Sequence, residues 1–164
     1  MNPAARESAG VAVKCESNDM ASHTASVLQP RVGAGVLLLD ERGRALLTLR
    51  KAAPEAGCWS ILGGKVDFLE TVKDCAIREA YEESGVRIAI VRLLCITDHL
   101  LPAENQHWVS PSYLARIVEG EAYNREPHKS EDVRWFGLDE LPENLTMTAR
   151  NAIAAYRGSA APTA

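Results

Sequence analysis

The sequence predicts one α/β domain, and three observations carry that prediction. Apolar, β-branched or Leu-rich segments bounded by polar turns recur along the chain, starting with Val32 to Leu39. An amphipathic helical stretch in the middle ends at Gly85, and a second helical pattern near Thr146 closes the domain. The chain has 164 residues, 46% of them hydrophobic, which suits a single full core in a soluble protein, and no apolar run approaches membrane-spanning length.

The first 28 residues are rich in Ala, Ser, Asn and Glu and lack any hydrophobic period. They also lack a basic start followed by an apolar run, so they read as a flexible extension and not as a signal peptide. The domain is expected over 29–157, with 158–164 as a small-residue tail. Val32 to Leu39 is the first strand, Asp40-Glu41-Arg42-Gly43 closes a hairpin, and Ala45 to Arg50 returns. Lys51 to Cys58, with Pro54 and Gly57, is a loop, and Trp59 to Leu62 is a short strand delivering the chain to a Gly63-Gly64 loop. After the central helix, strands are expected at Val86 to Thr97, His107 to Val118 and Asp132 to Phe136. The last helix should run from Thr146 to about Tyr156 with Ala149, Ile153 and Tyr156 on its buried side.

Charge and cysteines narrow the function classes. A net charge of -4 supplies no basic footprint for a nucleic-acid backbone, while a nucleotide remains compatible. Cys15, Cys58, Cys75 and Cys95 form no CxxC pair, and none groups with His23, His99, His107 or His128 at zinc spacing. Free thiols and a cytoplasmic location are the expectation, with Cys75 as a packing residue.

The most informative stretch is GKVDFLETVKDCAIREAYEESGV, Gly64 to Val86. It ends in Glu79, Glu82 and Glu83, which share one helical turn because residues three and four apart are neighbours. Two readings fit such a run: a solvated acidic face, or a site where a hard divalent cation offsets the repulsion. The framing residues favour the cation. Gly63 and Gly64 allow a tight backbone approach before the helix, and Gly85 supplies a left-handed stop after it. Val72, Ala76 and Ala80 make one side apolar, so the acids should face out into a cleft.

Gly64, Glu70, Arg78-Glu79-Ala80, Glu82-Glu83 and Gly85-Val86 fill all nine defined positions of a 23-residue register, and the stretch resembles a complete Nudix box. The resemblance to the Nudix hydrolase superfamily implies an α/β/α sandwich with a mixed β-sheet. It also implies Mg2+, with Mn2+ as a substitute, and hydrolysis of a nucleoside diphosphate linked to another group by attack of water on phosphorus. Carried over by motif position, Glu79 and Glu83 are the principal metal ligands, and Glu82 is a further ligand or the base. A carbonyl of Gly63 or Gly64 completes the set, and Glu70 and Arg78 brace loop and helix. In similar proteins an arginine at Arg50 contacts substrate phosphates, and Lys65 is a second candidate; for Arg50 a solvated strand end fits nearly as well. Glu131 resembles the extra glutamate that some members bring in on a late loop, with Glu126 and Asp132 as rivals. Trp108 and Tyr113 fit either core packing or stacking on a base.

The chain departs from the commonest form of the motif at Leu62, where proline is usual, at Leu69, where glycine is usual, and at Asp67, where glutamate is common. These changes should alter loop rigidity and leave the ligand set intact. The resemblance implies a small nucleotide substrate, while net charge and the lack of a long apolar run set the expectation of no nucleic acid and no membrane. The short domain is similar to the MutT-like branch that converts an NTP or dNTP to monophosphate and pyrophosphate. Pro102, sixteen residues beyond Val86, supports the alternative of ADP-ribose. A non-catalytic nucleotide sensor is a third reading, opposed by the intact glutamates. Homodimers are frequent among similar proteins, and the chain carries no interface signature of its own.

Overall fold

A computed structural model describes residues 28–160; residues 1–27 and 161–164, and with them nearly all of the expected extension and most of the expected tail, lie outside the described residues. Seven strands and two long helices follow in the order β1 (Arg31–Leu39), β2 (Ala45–Arg50), β3 (Trp59–Ser60), β4 (Leu62–Lys65), α1 (Val72–Ser84), β5 (Arg87–Leu101), β6 (Gln106–Glu119), β7 (Ser130–Phe136) and α2 (Met147–Ala160). The strands form one sheet of order β3-β2-β1-β6-β5, with β4 added on β1 and β7 on β2. The β1–β6 pairing is parallel and the others are antiparallel, so the sheet is mixed, as expected.

Strand alternation divides the interior in two. Val36 and Leu38 of β1 point to the face that α1 covers through Cys75, Ala76 and Ala80. Leu37, between them, points to the opposite face, where α2 seats Ala149, Ala152 and Ile153 over Leu47 and Trp59. All of these apolar side chains are buried, which gives each helix a reason to dock and makes the fold an α/β/α sandwich.

Local signals set the limits of α1. Thr71 caps its start, Oγ1 accepting from the Asp74 N–H at 3.1 Å, and Gly85 at φ +78 ends it by donating its N–H to the Tyr81 carbonyl at 2.9 Å.

Three expectations need correction. Gly63 and Gly64 are not in a loop: they sit in β4, paired with Gly35 and Ala34 of β1. Gly63 has φ +150, and a Cβ there would fall 2.1 Å from the Ala34 carbonyl oxygen, so the pairing demands glycine. The acids of α1 do not simply face outward, since Glu79 is only 8% exposed. Finally, α2 continues to Ala160; Ser159 Oγ donates to the Tyr156 carbonyl at 2.7 Å and accepts from Arg92 of β5, which anchors the last turn.

Candidate active site

The box residues converge where the C-terminal half of α1 meets β4. Arg78 is the hub. Its Nε and Nη2 donate to Glu70 Oε1 and Oε2 at 2.7 and 2.8 Å, a two-point contact, while Nη1 donates to Glu79 Oε1 at 2.7 Å and Glu82 Oε2 at 3.0 Å. Nη2 also reaches the Lys65 carbonyl at 3.2 Å, tying the helix to the end of β4. These bonds hold the Glu70 carboxyl down at about 2, the Arg78 contact outweighing the rest, and raise the Arg78 guanidinium further above its already high value. Glu70 also accepts the Asp67 N–H at 3.0 Å, so Glu70 and Arg78 brace the turn that precedes α1.

Glu79 and Glu83 press against β4 from the helix side. Gly63 donates its N–H to Glu83 Oε2 at 3.0 Å. A Cβ on Gly64 would lie 2.3 Å from the Glu79 carboxyl carbon, so only a residue without a side chain admits that carboxylate. Burial pushes Glu83 up to about 8; the Gly63 N–H opposes the shift and the charges of Glu79 and Glu126 add to it. Glu79 is raised for the same first reason, with Arg78 opposing. Glu82 is more open, its side chain 43% exposed.

Of the late-segment acids, the structure brings Glu126 beside the cluster and leaves Glu131 away from it. The segment after β6 runs back along the end of α1, Tyr123 and Arg125 donating their N–H groups to the Ser84 and Glu83 carbonyls, both at 3.1 Å. Arg125 adds a clamp: Nη1 donates to the Tyr81 carbonyl at 2.9 Å and the guanidinium stacks 4.6 Å from the Tyr81 ring. Glu126 follows at once. Its Oε1 pairs with Lys129 Nζ at 2.8 Å, and its Oε2 is buried without a partner. Glu131 lies exposed on β7, where the turn of the strand sends it to solvent.

Among the described residues no three acidic, histidine or cysteine groups stand as a closed ligand set, and Arg78 pairs with both Glu79 and Glu82. The donor set nonetheless fits a hard divalent cation. It is all oxygen, it gathers like charges at a cost that burial increases, and it includes an orphaned carboxylate oxygen on Glu126.

On its other side β4 borders a cleft of about 300 Å³. Gly63, Gly64 and Lys65 form the shared wall, and Arg50, whose Nε donates to the Pro54 carbonyl at 3.0 Å, stands at the same end. The Arg50 charge acts on Glu83, which places it beside the carboxylates. Trp108 lines the cleft with Arg31 stacked 5.4 Å from its ring, whereas Tyr113 packs against the core under α1. Glu55, His99, Ser110 and Thr146 also line the cleft and were not singled out by the sequence. The signal for His99 was its phase with Thr97 on the buried side of β5; Glu55 in an irregular loop gave none. Pro102 starts a short 3-10 turn at the tip of the β5–β6 hairpin and is absent from the cleft lining. Cys75 is fully buried in the core under α1, and burial pushes its thiol up to about 12.

The NUDIX domain family model matches residues 29–156, and the box, the sheet and the helices all fall inside that match. The chain belongs to the Nudix family. A solved MutT NUDIX hydrolase from Burkholderia pseudomallei is 47% identical with a TM-score of 0.74, the match covering 77% of this chain and 98% of that one. An NAD-capped RNA hydrolase from Chromobacterium violaceum is 34% identical over 120 residues, 71% of this chain and 42% of that protein. An oxidized purine nucleoside triphosphate hydrolase from Danio rerio is 32% identical over 111 residues, 65% of this chain and 67% of that protein. The chain spans about two fifths of the length of the NAD-capped RNA hydrolases it matches. Their name runs against excluding nucleic acid on net charge alone. No helix among the described residues is long and apolar enough to cross a membrane. For this Nudix protein, carboxylates and cleft meet at a single strand, β4.

Proposed function

We propose that this Nudix protein is a Mg2+-dependent pyrophosphohydrolase, with Mn2+ as a substitute ion, that converts an NTP or dNTP to monophosphate and pyrophosphate. The observation that carries the reading is the contact between the carboxylate cluster and the cleft across Gly63-Gly64-Lys65. A cleft of about 300 Å³ is the size of one nucleoside, at the small end of ligand sites, and so favours a mononucleotide over a substrate with two nucleosides. Pro102, the residue that supported ADP-ribose, sits away from the cleft.

Glu79, Glu83 and Glu126 would hold the cation, which supplies charge neutralisation at the phosphate oxygens and lowers the pKa of water. Arg50 and Lys65, at the shared wall, bind and orient the phosphate chain. Glu82, the most open carboxylate of the cluster, accepts the proton of the attacking water as its oxygen bonds to phosphorus and the bridging oxygen of the cleaved anhydride leaves. Arg78 and Glu70 are positioning residues that keep Glu79 and Glu82 aimed. The test is product analysis by chromatography, with and without Mg2+, on NTPs, dNTPs and ADP-ribose, for the wild type and Glu82→Gln. Monophosphate plus pyrophosphate, lost in the variant, supports the proposal. AMP plus ribose phosphate as the main product refutes the substrate assignment, and binding without turnover in the wild type refutes catalysis.

A further inference from the structure

The cleft contains one ionisable pair that the phosphate chemistry does not use. Glu55 stands in the loop between β2 and β3 at φ +58, a left-handed conformation uncommon outside glycine and worth asking about wherever it recurs at a site. Its carboxylate is divided between two tasks. Oε1 accepts the N–H of Met147, the first residue of α2, at 2.9 Å, a helix N-terminus held by an anionic oxygen. Oε2 remains in the cleft, 3.8 Å from Nε2 of His99, whose side chain is only 7% exposed.

The sheet fixes the imidazole. His99 and Trp108 are direct cross-strand partners on β5 and β6, so ring and indole project from the same face into the same cleft. Gly33 of β1 keeps the floor beside them open, since a Cβ there would lie 3.0 Å from Ser110 Oγ. A flat aromatic ligand in this cleft therefore meets an indole wall and, at its edge, an acceptor-only oxygen beside an imidazole nitrogen that can donate.

We propose that Glu55 and His99 are the base-reading pair of this cleft and select a guanine-type base, one whose ring N–H is flanked by an amino group and a carbonyl. The inference rests on the nucleotide reading above. The Glu55 carboxylate can accept both adjacent N–H donors of a guanine edge, one at Oε2 and one at the Oε1 lone pair that the Met147 N–H leaves free, while the guanine carbonyl accepts from His99 Nε2. Adenine offers that carboxylate one donor, and a pyrimidine covers less of Trp108.

Glu55→Gln separates reading from folding, because the amide oxygen can keep the Met147 N–H while the amide NH2 now opposes the donors of the base. The expected result is wild-type kcat/KM higher for GTP and dGTP than for ATP, CTP and UTP. In Glu55→Gln the guanine values should fall about 10–100-fold and further than the ATP value, so that the ratio of GTP to ATP falls. His99→Asn should move the same ratio in the same direction. Calorimetric binding of a non-hydrolysable GTP analogue by the same variants gives a readout independent of turnover. An equal fall for all bases, an unchanged preference for guanine in Glu55→Gln, or a wild type that prefers another base overturns the pair. A wild type that binds the GTP analogue in a Glu55-dependent way yet hydrolyses no triphosphate upholds the pair and refutes the proposed reaction instead.

Discussion

The carboxylate cluster and the cleft share β4 and are built in opposite ways. The cluster draws most of its groups from one contiguous stretch, Glu70 to Glu83, and forces together charges that repel in a place where burial makes repulsion worse. The cleft draws its lining from β1, the β2–β3 loop, β4, β5, β6 and the start of α2, and each residue is comfortable where it stands, Glu55 aside. A reactive centre needs side chains held against their own preference, and one helix turn clamped by Arg78 does this with little dependence on the rest of the chain. A recognition surface needs only shape and hydrogen-bond pattern, and distant segments can supply those.

The largest expected effect tests whether the cluster is a liability that a cation relieves. In the absence of cation the folded chain holds the Glu83 proton up to about 8, against 4.5 for an ordinary glutamate. Between those values the folded state binds more protons than the unfolded state, so stability falls as pH rises through that window. Glu83→Gln should flatten this slope and leave the cation-free protein more stable near pH 8. It should also abolish most of the stabilisation by Mg2+ and lower kcat by about 10²–10⁴-fold. Denaturant unfolding near pH 5 and near pH 8, with and without Mg2+, reads the first two. A slope that persists in the variant would mean another group carries it.

A smaller effect tests how local the cluster is. Glu126 arrives from more than forty residues downstream, and the Arg125 clamp on Tyr81 sets its approach. Arg125→Ala should weaken Mn2+ affinity about 10-fold, within the range seen when a group that orients a ligand is lost. If Arg125 acts through Glu126, the substitution should do almost nothing further in a Glu126→Gln background. Additive losses would make the clamp a stabiliser of α1 with no part in the site.

The same contrast explains what could be read from the chain. Box spacing and the Gly85 end of α1 are local signals, whereas the unbroken apolar run Val36-Leu37-Leu38 marks a strand without saying which side chain meets which helix. Gly63 and Gly64 read locally as a loop, because the contact that requires glycine there, β1 pairing, is long-range. The EPHKSED segment offers Glu126, Glu131 and Asp132 with nothing local to rank them, and the hydrogen bonds to the end of α1 bring Glu126 inward. Glu55, in an irregular loop, carries no pattern, and the phase of His99 with Thr97 marks it as buried without distinguishing it from any other buried residue of a strand.

The smallest effect concerns the turn that joins the two regions, between Lys65 of the cleft wall and Glu70 of the cluster. Glu70 donates its N–H to the Asp67 carbonyl at 3.1 Å, and Leu69 occupies the third position of that turn at φ +66, where glycine is relaxed and leucine is not. Its side chain is 90% exposed, so no packing repays the strain. Left-handed backbone costs an L-residue roughly 1–2 kcal/mol, and glycine gives back roughly 0.5–1 kcal/mol as unfolded-chain entropy. Leu69→Gly should therefore stabilise the protein by about 0.5–1 kcal/mol, read from the denaturant midpoint at constant slope. Turnover should stay within about twofold, because Arg78 already fixes Glu70 by two bonds. A loss of stability would show that the Leu69 side chain has a partner, and a large fall in turnover would show that the strained turn sets the reach of Glu70 across the boundary between cluster and cleft.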